Sequence, residues 1–168
     1  ECECIMFGKL KNLFSQPGIT IASPVSGMVV PLTEVPDPTF AQGILGPGAA
    51  VQPSEGRIVA PANGTVDMMF DTGHAVSMTT SEGAELLIHV GIDTVNLKGQ
   101  HYTAKCKSGD TVRKGDTLIE FDIDAIREAG YEVVTPVIVC NPDAFASVKT
   151  VDAGSVQAGD DLLTLEKK

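Results

Sequence analysis

From Gly18 onward the chain alternates short apolar runs with polar turn clusters, and the runs are rich in Val, Ile, Leu and Thr. Ile19-Thr20-Ile21, Gly64-Thr65-Val66 and Thr117-Leu118-Ile119-Glu120-Phe121 each have the length and composition of a strand. One stretch, Asp124 to Ala129, reads as a helix, with Asp124 as N-cap and Gly130 as the stop. Too few helical segments separate the strands for a βαβ sheet. The pattern predicts an all-β fold.

Two sequence echoes refine that expectation. Ala22-Ser23-Pro24-Val25-Ser26-Gly27 is matched by Ala60-Pro61-Ala62-Asn63-Gly64, each setting proline and then glycine before a β-branched strand. Gly109 to Leu118 is matched by Gly154 to Leu162. Each copy reads as strand, tight turn, strand. Paired hairpins of two kinds predict an antiparallel β sandwich or flattened barrel of duplicated units.

Ahead of this region lies a leader, residues 1–17. Within it Met6, Phe7, Leu10, Leu13 and Phe14 fall at helical spacing over residues 6–14. This stretch reads either as a short amphipathic helix making weak contact with a membrane surface or as a terminus packed loosely on the domain. Residues 18–168 form the single domain. A start at Met6 and the amphipathic opening favour a freestanding chain over a domain of a longer permease.

Composition narrows the function. The 17 glycines and 10 prolines are about 16% of the 168 residues, against a usual ~12%, as turn-rich β structure requires. Hydrophobic residues at 43% and charged residues at 20% belong to a folded globule. A net charge of −10 disfavours a nucleic-acid partner and favours basic protein partners. No run reaches the ~18 apolar residues of a membrane span. The four cysteines form no disulfide or zinc pattern; Cys106 lies in a polar stretch, and Cys140, ending an apolar run, reads as a buried small hydrophobe. A reducing compartment, the cytoplasm, follows.

The chemistry centres on two histidines. His74 and His89 flank two strand-like segments joined through Thr80-Ser81-Glu82-Gly83. A turn centred between Ser81 and Glu82 sets His74 directly opposite His89, Cβ atoms about 4.5–5.5 Å apart. Alternation then puts Leu87 and Glu85 on the face of His89, and Val76 and Met78 on that of His74, an apolar patch suited to a protein partner. A one-residue slip would send the rings to opposite faces. Two opposed imidazoles suit a nucleophile and a hydrogen-bonding partner for its charged adduct. They supply two zinc ligands, short of a usual site. A surface pair without function remains the plain alternative, and His101 reads as a surface residue.

Leu87-Ile88-His89-Val90-Gly91-Ile92-Asp93-Thr94-Val95-Asn96-Leu97-Lys98-Gly99 resembles the signature of the glucose-type enzyme IIA family of the bacterial phosphoenolpyruvate:sugar phosphotransferase system. The similarity runs over roughly residues 18 to 167 and includes Val35 to Phe40, Val59 to Gly64, Thr72 to Ala75, Gly115 to Phe121 and Thr135 to Val137. The resemblance implies an antiparallel β sandwich. It also implies a phosphotransferase component that takes a phosphoryl group from the carrier HPr and passes it to a cysteine on the IIB domain of a sugar permease. Through it His89 becomes the phosphorylated residue, His74 its support and Thr72 the residue that orients His74. Phe40, Phe70 and Leu87, with Val76, Met78, Val90 and Val95, become the docking surface, and Asp37 and Asp93 its rim. Val76 and Val90 stand where several relatives carry aromatic residues, and Gly73 where larger residues are frequent. No cofactor is expected, although zinc could be held by His74, His89 and a partner's carboxylate. A mainly regulatory binding protein, whose partners depend on the phosphorylation of His89, is the alternative. A biotinyl- or lipoyl-type carrier lacks its lysine motif here, and a zinc peptidase its His-x-His pair.

Overall fold

The structure, a computed structural model, describes residues 18–168. The leader and the amphipathic stretch over residues 6–14 lie outside the described residues. Fourteen strands follow in order: β1 (Gly18–Ala22), β2 (Gly27–Val30), β3 (Gly48–Pro53), β4 (Arg57–Val59), β5 (Gly64–Met69), β6 (Ala75–Thr80), β7 (Glu85–His89), β8 (Tyr102–Ala104), β9 (Thr111–Val112), β10 (Thr117–Phe121), β11 (Thr135–Val139), β12 (Phe145–Thr150), β13 (Gly154–Val156) and β14 (Asp161–Lys167). Two short helices, α1 (Pro38–Ala41) and α2 (Ile123–Glu128), complete the regular elements apart from brief 3-10 turns.

Every strand pairing is antiparallel, in one eight-stranded sheet, β13-β2-β3-β11-β7-β6-β5-β9, and two three-stranded sheets, β1-β14-β12 and β4-β10-β8. The sandwich predicted from alternation is present. Its core gathers inward-facing residues of all three sheets, among them Ile21, Ile58, Met78, Leu86, Ile88, Leu118, Leu162 and Leu163. All five residues of β11, at the middle of the large sheet, are buried, so this strand reads as a continuous apolar run rather than an alternating one.

The sequence echoes become matching hydrogen bonds. Gly115 N–H donates to the Ala60 carbonyl at 2.9 Å, and Gly159 N–H to the Ser23 carbonyl at 3.0 Å. Lys114 N–H donates to Asn63 Oδ1 at 2.8 Å, and Ala158 N–H to Ser26 Oγ at 2.9 Å. Arg113 N–H and Gln157 N–H each donate to the aspartate three residues on, both at 2.9 Å. Gly115 and Gly159 have φ of 96° and 98°, which glycine adopts without the Cβ penalty. The order of the large sheet accordingly reads as two like halves meeting at β11 and β7.

Local details differ from the sequence expectations. The N-cap of α2 is Asp122, whose Oδ1 accepts from Ala125 N–H at 3.0 Å; Asp124 sits in the first turn. The helix stops as expected at Gly130, where Tyr131 N–H returns to the Ile126 carbonyl and Gly130 N–H to that of Arg127, a Schellman closure. Cys140 is exposed, because β11 ends at Val139 and the next residue leaves the core; Cys106 instead turns inward, 9% exposed among core residues. Among the described residues no helix is long and apolar enough to cross a membrane.

Candidate functional site

The two histidines stand at one end of the β6–β7 hairpin. Thr80 N–H bonds to the Ala84 carbonyl at 2.8 Å and closes a three-residue loop, Ser81 to Gly83, with Gly83 at φ 95°. A three-residue loop shifts the register by one from the two-residue turn expected, so His89 faces Ala75 rather than His74. The rings nevertheless meet, with centroids 4.9 Å apart and planes at 79°. His74 lies in a bend before β6, next to Gly73 at φ 71°, and strand alternation does not bind its side chain. The expectation that a slip separates the rings fails for that reason.

His89 is half-buried, and its Nδ1 lies 2.7 Å from the Gly91 carbonyl oxygen. A carbonyl only accepts, so Nδ1 carries the proton and the neutral ring keeps the lone pair on Nε2. The corner beyond is held by Val90 N–H to the His74 carbonyl at 2.7 Å, Gly91 N–H to that of Val134 at 3.1 Å, and Ile92 N–H to that of Glu132 at 3.1 Å. Gly91 has φ 89°, and a Cβ there would lie 2.6 Å from the Thr94 side chain and 2.8 Å from the Glu132 carbonyl. Only glycine suits this corner.

His74 is 4% exposed, and its Nδ1 bonds to Thr72 Oγ1. With the Thr72 hydroxyl donating, Nδ1 accepts and Nε2 carries the proton, leaving a donor on the other side of the ring. Phe70 packs edge-on against His74 at 5.5 Å between centroids, and Phe40 tilts against His89 at 5.1 Å. Phe40 is delivered by α1, which Asp37 caps by accepting Thr39 N–H at 2.9 Å and which Pro38 opens.

Both imidazoles are pushed towards neutrality. His74 is lowered from 6.5 to about 4, first by burial and then by the neighbouring His89. Burial also lowers His89, opposed by its bond to Gly91 and by the charges of Asp37 and Asp93. Each ring is therefore uncharged near pH 7, and the Nε2 lone pair of His89 is available. Stability follows with a definite sign. Between pH 6.5 and about 4 the unfolded chain protonates a ring that the folded protein keeps neutral. The contribution of His74 is complete above pH 6.5 and disappears as the pH falls, by about 2–3 kcal/mol at pH 4.5. Urea unfolding at pH 7.5 and pH 4.5 should show a smaller acid loss for His74→Gln than for the parent. Equal losses would refute the buried neutral ring.

The structure brings His74, His89, Thr72, Phe40 and Phe70 together as expected. Leu87 is half-buried against a small apolar cluster of Val35, Phe40, Ala50, Ile92, Val134 and Ile138. Asp37 is half-buried, Asp93 exposed, and Val95 exposed at 51%. Val76, Met78 and Val90 are fully buried in the main core and offer no docking surface. The register explains this: Val76 pairs with Ile88 and Met78 with Leu86, the inward residues of β7. Sequence reasoning missed Ile44 and Leu45, exposed large apolar residues shortly after Phe40. An apolar pair bracketed by Gly43 and Gly46 was the available signal. It missed the Gly91 carbonyl because main-chain acceptors leave no mark in a sequence. His101 is exposed, as expected. Among the described residues no group of three or more metal-ligating side chains occurs.

A duplicated antiparallel sandwich that holds a neutral imidazole with a free Nε2 beside a second imidazole is equipped for nucleophilic group transfer. The family model for the phosphoenolpyruvate-dependent sugar phosphotransferase system, EIIA 1, matches residues 19–145. A glucose-specific EIIA component of Oceanobacillus iheyensis is 44% identical over 155 residues, 89% of this chain and 94% of that protein. A beta-glucoside-specific EIIBCA component of Bacillus subtilis is 47% identical over 145 residues, 86% of this chain but 24% of that protein. The glucose permease IIA structure from Mycoplasma capricolum superposes with a TM-score of 0.83 at 29% identity, covering 88% of this chain and 96% of that one. The chain thus spans about a quarter of the EIIBCA relative and nearly all of the EIIA component. It belongs to the EIIA type-1 family of the sugar phosphotransferase system. It is a phosphotransferase-system EIIA component.

Proposed function

We propose that the phosphoryl group is carried on Nε2 of His89, received from phospho-HPr and passed to a cysteine of a permease IIB domain. The observation that carries the reading is the Nδ1–H bond to the Gly91 carbonyl, which leaves Nε2 as the one free nucleophilic nitrogen of that ring. Nε2 attacks phosphorus as the donor's P–N bond breaks, and that electron pair returns to the donor imidazole. In the onward step a IIB thiolate attacks phosphorus and Nε2 recovers its pair. Nδ1–H stays bonded to Gly91 throughout. His74, oriented by Thr72, donates Nε2–H to a phosphoryl oxygen, and positioning with charge stabilisation is the main demand of phosphoryl transfer.

Phe40 and Phe70, packed on the two rings, and Leu87 beside Phe40 keep water from the labile P–N bond, while the exposed Ile44, Leu45 and Val95 offer apolar surface to a partner. Asp37 and Asp93 favour a basic donor at the rim. The beta-glucoside-specific EIIBCA relatives, by name, join IIA to IIB and IIC parts, which supports a IIB acceptor. A cytoplasmic location goes with the reading. The transfer chemistry balances without a metal; His74 and His89 would ligate zinc only with a partner carboxylate to complete its shell. Peptide mapping by mass spectrometry after incubation with phospho-HPr, kept at alkaline pH to preserve the phosphoramidate, should find the phosphate on His89. Phosphate on His74, His101 or a non-histidine residue would overturn the assignment.

A further inference from the structure

Tyr102 opens β8 and stacks on Phe121, with ring centroids 6.3 Å apart at 24°. The residue is 9% exposed, yet its hydroxyl is satisfied: it donates to the Val90 carbonyl oxygen at 2.8 Å. Thr94 Oγ1 donates to the same oxygen, also at 2.8 Å. That carbonyl is half of the peptide unit joining Val90 to Gly91, and the other half, Gly91 N–H, donates to Val134. The plane is pinned on both sides. Gly91 leaves it at φ 89°, and the next carbonyl along, that of Gly91 itself, accepts Nδ1–H of His89.

The same side chain also reaches the turn that precedes the other histidine. A Cβ on Gly73 would lie 3.3 Å from Cβ of Tyr102, so the turn between Thr72 and His74 rests directly on this residue. Burial pushes the phenol up to about 12. The hydroxyl is therefore a proton donor throughout the range in which the histidines titrate.

The geometry points to Tyr102 as a positioning residue for both imidazoles: its side chain seats the turn that carries His74, and its hydroxyl, with Thr94, locks the corner that sets the His89 tautomer. The inference rests on the reading of His89 Nε2 as phosphoryl acceptor. Losing one of two donors loosens the Val90–Gly91 plane without leaving its carbonyl bare. The Nδ1–H bond of His89 then weakens, and the Nε2–H tautomer, which cannot attack phosphorus, gains population.

The test uses ¹⁵N-histidine-labelled, unphosphorylated protein and long-range ¹H–¹⁵N spectra, alongside single-turnover acceptance from phospho-HPr. Tyr102→Phe keeps the ring and removes the hydroxyl. It should raise the Nε2–H share at His89 and slow acceptance about ten-fold, as for one lost hydrogen bond, with unchanged far-UV circular dichroism. Thr94→Val removes the other donor to the same carbonyl and should act in the same direction, whereas Thr94→Ser should stay near the parent. Should Tyr102→Phe not fold, the two Thr94 variants report on the same oxygen. Unchanged His89 nitrogen shifts in the folded variants, or slower acceptance with an unchanged tautomer, would overturn the inference. Parent protein that takes no phosphate on His89 would refute the acceptor reading instead, while the spectra still judge the positioning.

Discussion

His89→Gln protein mixed with labelled phospho-HPr should take up no label at all. Glutamine fills the same place at the end of β7 and offers an amide nitrogen whose lone pair is delocalised into its carbonyl, so no nucleophile replaces Nε2. His74 cannot stand in for it. Its ring is 4% exposed, and with the Thr72 hydroxyl donating to Nδ1 its Nε2 carries a proton rather than a free pair. Fold should survive, because His89 is only half-buried and its one internal polar contact is to the Gly91 carbonyl. The assay is single-turnover transfer followed by gel autoradiography under alkaline conditions, with circular dichroism confirming the folded state. Label retained on the variant would remove His89 from the mechanism.

His74→Gln should behave differently in the two half-reactions. The glutamine amide still donates a hydrogen bond towards a phosphoryl oxygen, so acceptance should remain within a few-fold of the parent. What it loses is the capacity to change charge. The buried ring resists protonation, at about 4, while its neighbour is an uncharged imidazole. A phosphoryl dianion within reach draws a proton onto it, since an opposite charge at a few ångströms favours the charged form. That added positive charge can offset the negative charge that builds up when a thiolate attacks. Glutamine cannot supply it, and transfer to a IIB domain should fall at least ~10²-fold, the usual loss for an acid–base or electrostatic partner. A chase of labelled variant with IIB domain measures this. Onward transfer at the parent rate would leave His74 a hydrogen-bond donor with no part in taking up a proton.

Much of the molecule was legible in one dimension. Period-two alternation and glycine-proline punctuation specify short strands and tight turns, and those are local properties of the chain. The two sequence echoes became the matched hydrogen bonds at Gly115 and Gly159 because a turn's geometry depends on a handful of adjacent residues. The helix stop at Gly130 was equally local. Its start was misplaced by two residues because Asp122 and Asp124 are both acceptable caps, and only the chain's exit from β10 selects Asp122.

The candidate site divides along the same line. That His74 and His89 lie near each other followed from the hairpin between them, and the resemblance supplied Thr72, Phe40 and Phe70. Which faces the residues take did not follow. One extra residue in the loop, with Gly83 in the left-handed region, moved Val76 and Met78 into the core and set His89 against Ala75. The rings then met only because His74 lies beyond the regular part of its strand. Phe40 reaches His89 from a helix far back in the chain, and Tyr102 reaches the same corner from β8. The sequence alone determined the strand-and-turn grammar and the pair of imidazoles, since both are written in neighbouring residues. Register, tautomer and the walls of the site were decided by tertiary structure, because each depends on main-chain carbonyls and side chains that only packing brings together.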